Sequence, residues 1–566
     1  MPSRTLAASA ALCGLITACS TSSAPDSTPL DIAVGDGPGV DLVFAGGPIH
    51  APGDPEVVAV DDGVIVFVGA LADLGDRAGA ETQIVDLAGR ALVPGFIDNH
   101  NHLGEGGEVT CELRADRSLN RQFGALTRCA DHVPSGEWII GYGGSLDIEG
   151  WARGGPIVRE VMNDAFPDHP AIVMDQTSHA MFVNDLALRA AGIDASTPDP
   201  PGGVLMRDAD GALTNILVDN AGDIVMELAV RTLPARDDAF RAGIELGLAE
   251  ARQWGVTTVG DGRTYWQRGM LEAWLDAEAD GILTARVSVR PWIYPEVERD
   301  TQLTYLEGVL QTDRRRLVII DQVKMYSDGV PEYGTGRVIE PYAFTWFDDL
   351  PHGLNYIDRA AMAEWLVALD AIGFGAHIHA IGDLGVRETL DAIEDARDAG
   401  SARRYHMTHL SMVDPADVPR FAALDVDADL QLYATHDSHA HEGEDYADLM
   451  SATRIGALLF TPVAELHDSG ANVVLSSDWT VQPMSPLLAI SYAVQEGSLT
   501  LDEALDAYTV HAAQALEVDD ITGRIAEGMA ADLVVLSRDI FGASARQIRD
   551  TRVDMTVFAG AVVYER

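Results

Sequence analysis

The runs Val318-Ile-Ile-Asp-Gln-Val-Lys-Met-Tyr326, Gly375-Ala-His-Ile-His379, His406-Met-Thr-His409 and Asn472-Val-Val-Leu-Ser-Ser-Asp478 decide the fold. Each is short and strand-like, and Val256-Thr-Thr-Val-Gly260 belongs to the same series. Helical stretches such as Asp358 to Gly373 lie between them. Strand and helix in alternation predict a parallel α/β sheet. The number of units across residues 95–516 favours a (β/α)8 TIM-type barrel over a doubly wound sheet, and about 250 to over 400 residues suit one such barrel.

Outward from this middle the idiom changes. Asp41-Leu-Val-Phe-Ala45, Val57-Val-Ala-Val60 and Val64-Ile-Val-Phe-Val-Gly69 are β-rich, with Asp61-Asp62-Gly63 as a hairpin turn signal. Ala531-Asp-Leu-Val-Val-Leu536 and the run from Val553 to Tyr564 repeat the pattern. Residues 41–94 and 517–566 are therefore expected to combine into one small composite β-sandwich.

At the start, Met1-Pro-Ser-Arg4, an apolar stretch from Leu6 to Ile16 and small residues after it read as a secretory signal over residues 1–18. The apolar part is too short to span a bilayer. Ile16-Thr-Ala-Cys19 resembles a bacterial lipobox, in which Cys19 becomes the acylated first residue. Residues 19–40 read as a flexible tether. The expectation is an exported lipoprotein, periplasmic or on the outer surface, held to the membrane by its lipid anchor. Cys13 and Cys19 aside, Cys111 and Cys129 remain, either paired in an oxidising compartment or two buried thiols.

Composition excludes several classes. Apolar residues make up 47% and charged residues 22% of 566, ordinary for a globular chain, so a multispan membrane protein is ruled out. With 88 acidic against 38 basic residues, the net charge of −50 repels nucleic acid phosphates. The partner left is a small-molecule substrate. The basic residues are 37 Arg and one Lys, Lys324. Arginine cannot be deprotonated, so the exception marks a place that needs an amine.

Chemistry gathers where the strand runs end. His100 and His102 close Gly95-Phe-Ile-Asp-Asn-His-Asn-His102 two residues apart, so both face the same way. His379, His409 and Asp478 close three further runs, and Lys324 ends another. Imidazoles and carboxylates are ligands for first-row metals.

With these residues in view, the chain resembles the amidohydrolase superfamily, and within it the family 3 group that includes N-substituted formamide deformylases. The matching parts are Gly95 to His102, Ser178-His179-Ala-Met-Phe-Val-Asn184, Lys324-Met-Tyr-Ser-Asp-Gly329, His379-Ala-Ile-Gly-Asp383, His409 and Ser477-Asp478-Trp479. The resemblance implies two divalent metal ions, usually zinc: His100, His102 and Asp478 on one, His379 and His409 on the other. Lys324, carboxylated by carbon dioxide, bridges them as a carbamate.

It further implies an amidohydrolase cleaving a non-peptide carbon-nitrogen bond, in an amide, N-formyl or N-acyl group, by a metal-bridging hydroxide with Asp478 as proton shuttle. A deaminase or lactonase on the same site, or a non-catalytic binding lipoprotein, are the alternatives. His179 and Asn184 match a segment at the mouth of the barrel and are expected to contact substrate, with helix capping or packing equally open. His377 lies on the ligand face and His406 on the opposite one, and neither is assigned to the site. Asn99, Asn101 and Thr480 depart from the family pattern without touching ligation.

Overall fold

Eight of the apolar runs are parallel strands: β1 (Phe96–Asn101), β2 (Val256–Thr264), β3 (Arg286–Pro291), β4 (Gln322–Tyr326), β5 (Gly375–Ala380), β6 (Tyr405–His409), β7 (Val426–Gln431) and β8 (Val473–Ser476). The computed structural model that shows them describes residues 32, 34–105, 109, 111–112, 124–125, 127–144, 158–347, 349–432 and 446–566. The signal over residues 1–18, Cys19 and most of the tether lie outside the described residues.

β1, β2 and β3 pair in order in one sheet, which also takes Val318–Ile319. β4 to β8 pair in order in a second sheet. The two meet at both edges, where Trp292 bridges Lys324 and Asn101 bridges Trp479, each in the parallel sense. Helices Met270–Ala279, Arg299–Val309, Arg359–Ile372, Asp383–Asp398, Val418–Leu424, Val463–Asp468 and Pro486–Glu496 follow β2 to β8 in turn. Crossover helices cover the sheet faces, which is why β1 to β5 and β7 are buried at every residue.

The helix after β4 shows how the sequence sets such an element. Asp358 caps it by accepting from the Ala361 amide at 3.0 Å, and Gly373 ends it at φ 99°. Met362, Trp365, Leu366 and Leu369 form its buried stripe at helical spacing.

Between β1 and β2 the chain makes a detour that the strand pattern does not announce. Six strands form a mixed sheet in the order Gly203–Arg207, Leu213–Asp219, Ala180–Val183, Ala171–Asp175, Ile139–Gly144 and Cys111–Glu112. Some pair parallel and others antiparallel, and the short helices Val158–Ala165 and Asp185–Ala191 fall between them without a regular alternation. Cys111 and Cys129 are joined by a disulfide here, with Cα atoms 5.5 Å apart.

The chain ends interlock. Leu42–Ala45, Val57–Asp61, Val64–Gly69 and Gln83–Asp86 form one sheet, while Leu92–Pro94 joins Leu533–Leu536, Val553–Phe558 and Ala561–Glu565 in another. Asp62 and Gly63, at φ 47° and 77°, supply the two left-handed residues that a tight hairpin requires. Phe44, Val58, Val60 and Ile65 from one end pack with Leu533, Val535, Met555 and Val557 from the other.

Candidate metal centre

All six residues expected to hold metal lie toward the C-terminal ends of the parallel strands. His100 is next to last in β1 and His102 follows it; Lys324 sits within β4, His379 near the end of β5, His409 at the end of β6 and Asp478 just beyond β8. Five of them are buried and His409 is half-buried. His409 and Asp478 have left-handed backbones, φ 76° and 54°, a strained conformation that concentrates at functional sites.

The rings crowd together. His100 lies 5.0 Å from His409 and 5.3 Å from His102 between ring centres, and His379 lies 4.6 Å from His409. The Nε2 atoms of His100 and His102 stand 3.2 and 3.0 Å from Oδ1 of Asp478. Ligand atoms of His100, His409 and Asp478 fall within 4.8 Å of one another.

The opposite side of each ring is tied down, and this decides which nitrogen is free. Nδ1 of His102 is 3.1 Å from Glu105, whose carboxylate is gripped by Arg263. Nδ1 of His409 is 2.9 Å from Gln431 Oε1, and Nδ1 of His100 is 2.6 Å from His377. His379 is the reverse case: its Nε2 donates to the Gly329 carbonyl at 3.2 Å, leaving Nδ1. Asp98 holds the loop of Asp478 by accepting from the amide and hydroxyl of Ser477 at 2.8 and 2.6 Å.

What remains fits a metal. His100 Nε2, His379 Nδ1, Asp478 Oδ1 and Lys324 Nζ are buried without a hydrogen-bond partner among the described residues, and buried polar atoms are rarely left so. Burial holds His100 well below its ordinary pKa and pushes His379 down likewise. His409 is pushed down by burial to about 3. Neutral rings with free lone pairs are the state that ligates metal. At His102 burial is outweighed by Glu105 and Asp478, which lift the ring to about 9. That corner favours positive charge, which a cation supplies with the ring neutral. Burial pushes the amine of Lys324 well below its usual range.

The two residues expected to touch substrate part company. His179 is buried beside the cluster, 5.1 Å from the His379 ring, with Nδ1 held by Asp219 at 2.5 Å. Asn184 is instead the cap of helix Asp185–Ala191, accepting from Ala187 and giving its amide protons to the carbonyls of Phe166 and His169. Its polar atoms are spent on backbone, which is the capping role that the sequence left open beside substrate contact. Glu105, Arg263, His377, Gln431 and Asp98 are site residues that the sequence reading missed. For His377 the signal existed, because it stands two residues before His379 in one strand.

The chain is similar to known proteins over most of its length. The profile of the amidohydrolase family matches residues 83–564. The YtcJ protein of Bacillus subtilis is 29% identical over 539 residues, covering 90% of this chain and 96% of that protein. The N-substituted formamide deformylase of Arthrobacter pascens is 25% identical, covering 90% and 95%. The crystal structure of an uncharacterized metal-dependent hydrolase from Pyrococcus horikoshii matches 89% of this chain and 99% of its own with a TM-score of 0.67 at 20% identity, a likeness of fold.

Proposed function

The chain belongs to the amidohydrolase family, a family of metal-dependent hydrolases, and from that premise we propose that it cleaves a non-peptide carbon-nitrogen bond in an amide, N-formyl or N-acyl compound. The observation that carries the reading is the set of buried, partnerless atoms converging at the ends of β1, β4, β5 and the turn after β8. The full-length likeness to an N-substituted formamide deformylase supports the substrate class.

In this reading His100 and His102 act through Nε2, with Asp478, on one divalent ion, and His379 through Nδ1 and His409 through Nε2 on the other. Imidazoles with carboxylates suit zinc. Lys324, kept neutral by burial, would add carbon dioxide with loss of a proton, and the resulting carbamate would offer the two ions an anionic ligand. When bound, the ions lower the pKa of water toward about 7 and polarise a carbonyl. Asp478 takes a proton on its carboxylate and returns it to the leaving nitrogen. Asp219 fixes His179 so that Nε2 is the atom offered to substrate. We read the two parallel sheets as halves of one closed (β/α)8 barrel over residues 95–516, with the interlocked ends as its composite sandwich. The protein is exported and anchored through acylated Cys19.

The test is amine release from a panel of N-formyl, N-acyl and primary amides by the full-length protein, with zinc supplied and after chelation. Turnover that chelation abolishes and zinc restores is expected. Turnover indifferent to metal, or confined to amidines or lactones, overturns the reading. Fatty-acid labelling should mark Cys19, and a Cys19→Ser protein that still labels refutes the anchor.

A further inference from the structure

His377 has no role in the ligand set, yet it makes one of the shortest contacts in the site: its Nε2 lies 2.6 Å from Nδ1 of His100, with the rings stacked at 4.8 Å and 24°. The contact joins residues 277 apart in the chain. Both rings are fully enclosed. β5 places His377 in register between Lys324 of β4 and His406 of β6, so the ring sits directly beneath the cluster.

A third ion between His100, His377 and Asp429, whose ligand atoms also come within 4.8 Å, is not what this corner is built for. Asp429 already accepts from Asn99 at 2.8 Å and from the hydroxyl of Ser476, with the Gln431 amide at 3.5 Å. A hydrogen bond is the use left to the pair, and its direction follows from the ligand. A ring that gives Nε2 to a cation must carry its proton on Nδ1. His377 Nε2 must then be an acceptor, with its own proton on Nδ1, which faces His406 Nδ1 at 3.5 Å.

We propose that His377 is a positioning residue for metal binding: its Nε2 accepts the Nδ1 proton of His100, fixing the tautomer and ring orientation that point His100 Nε2 at the ion. The proposal rests on His100 being a ligand. It distinguishes His100 from His102, whose ring is steadied by the carboxylate of Glu105. An acceptor behind a metal-binding imidazole typically contributes about 10–100-fold in metal affinity.

Zinc affinity of the full-length protein, measured by competition with a chromogenic chelator, tests it. His377→Leu and His377→Met remove the strong acceptor while keeping bulk, whereas His377→Gln offers a carbonyl oxygen in its place. The weaker of the two zinc ions should bind about 10–100-fold less tightly in the Leu and Met variants, with Gln within about threefold of wild type. Melting temperatures of the metal-free proteins serve as the folding control. Zinc binding unchanged in Leu or Met overturns the proposal, as does equal loss in Gln and Leu. Wild type that binds no zinc overturns the ligand set itself, which separates the two failures. Should Leu and Met both fail to fold, zinc-loaded wild type labelled with 15N-histidine decides: a far-downfield proton on His100 Nδ1 coupled to His377 is expected, and its absence refutes the bond.

Discussion

Two layers of polar side chains sit on the parallel strands and the turn after β8, one toward their ends and one a step below. The upper holds His100, His379, Lys324 and Asp478; the lower holds Asn99, Arg290, Gln322 and Asp429. All eight are buried. In the lower layer Arg290 donates to Asn99 at 2.6 and 2.8 Å and to Gln322 at 3.0 Å, while Asn99 donates to Asp429. In the upper layer four buried atoms converge without a well-formed hydrogen bond among the described residues, the nearest approaches being those of the His100 and His102 rings to Asp478 Oδ1. Burial of polar groups therefore does not mark a site by itself. Convergence of unsatisfied atoms does, because a satisfied network gains nothing from a ligand.

The difference can be broken most forcefully at Lys324. Lys324→Arg puts a permanent charge between two dications, and elemental analysis should find both ions lost, with activity down by orders of magnitude. Two ions and normal turnover in that variant would end the upper-layer reading.

His379→Ala is expected to remove mainly one ion and also to reduce activity by orders of magnitude, since loss of any ligand disturbs the shared centre. Full metal content would show that its free Nδ1 is not a donor.

Glu105→Gln sharpens the comparison at a residue that supports the upper layer from outside. It keeps an acceptor for His102 but removes the charge, so zinc affinity by chelator competition should drop by about tenfold. An unchanged affinity would mean that the carboxylate serves only Arg263.

The smallest effect belongs to the lower layer. Burial raises Asp429 to about 7, so the folded protein holds this proton more tightly than the unfolded chain, where a carboxyl titrates near 3.9. Its contribution is complete below about pH 4 and is lost as pH rises through about 7. In the metal-free protein, Asp429→Asn should show a shallower fall in melting temperature from pH 5 to 8, with parallel curves refuting it.

The upper layer was largely legible in the sequence, and the reason is local. His100 and His102, His379, His409 and Asp478 each stand where an apolar run stops, and Lys324 is singled out by composition. Their supports were not. Glu105 meets Arg263 across 158 residues and Asp98 meets Ser477 across 379, and no periodicity carries information over such distances. Asn184 stayed ambiguous in the sequence because a helix cap and a substrate contact use the same residue type, and the structure shows the cap. The parallel strands announced themselves through regular alternation with helices, whereas the mixed sheet between β1 and β2 is interrupted only irregularly, by short helices such as Val158–Ala165 and Asp185–Ala191.

The interlocked chain ends bear on how the molecule is made. Arg90 pairs with Asp554 across 464 residues, and Leu92–Pro94 has Leu533–Leu536 as its sheet neighbour. At about 5–20 residues per second, synthesis separates those partners by roughly 20 to 90 seconds. Throughout that interval the hairpin of Val57–Asp61 and Val64–Gly69 lacks half of its apolar packing, and Leu92–Pro94 keeps an open edge. The later-translated strands are thus the ones that cover the earlier, and a nascent chain stalled short of them leaves an adhesive β-surface exposed.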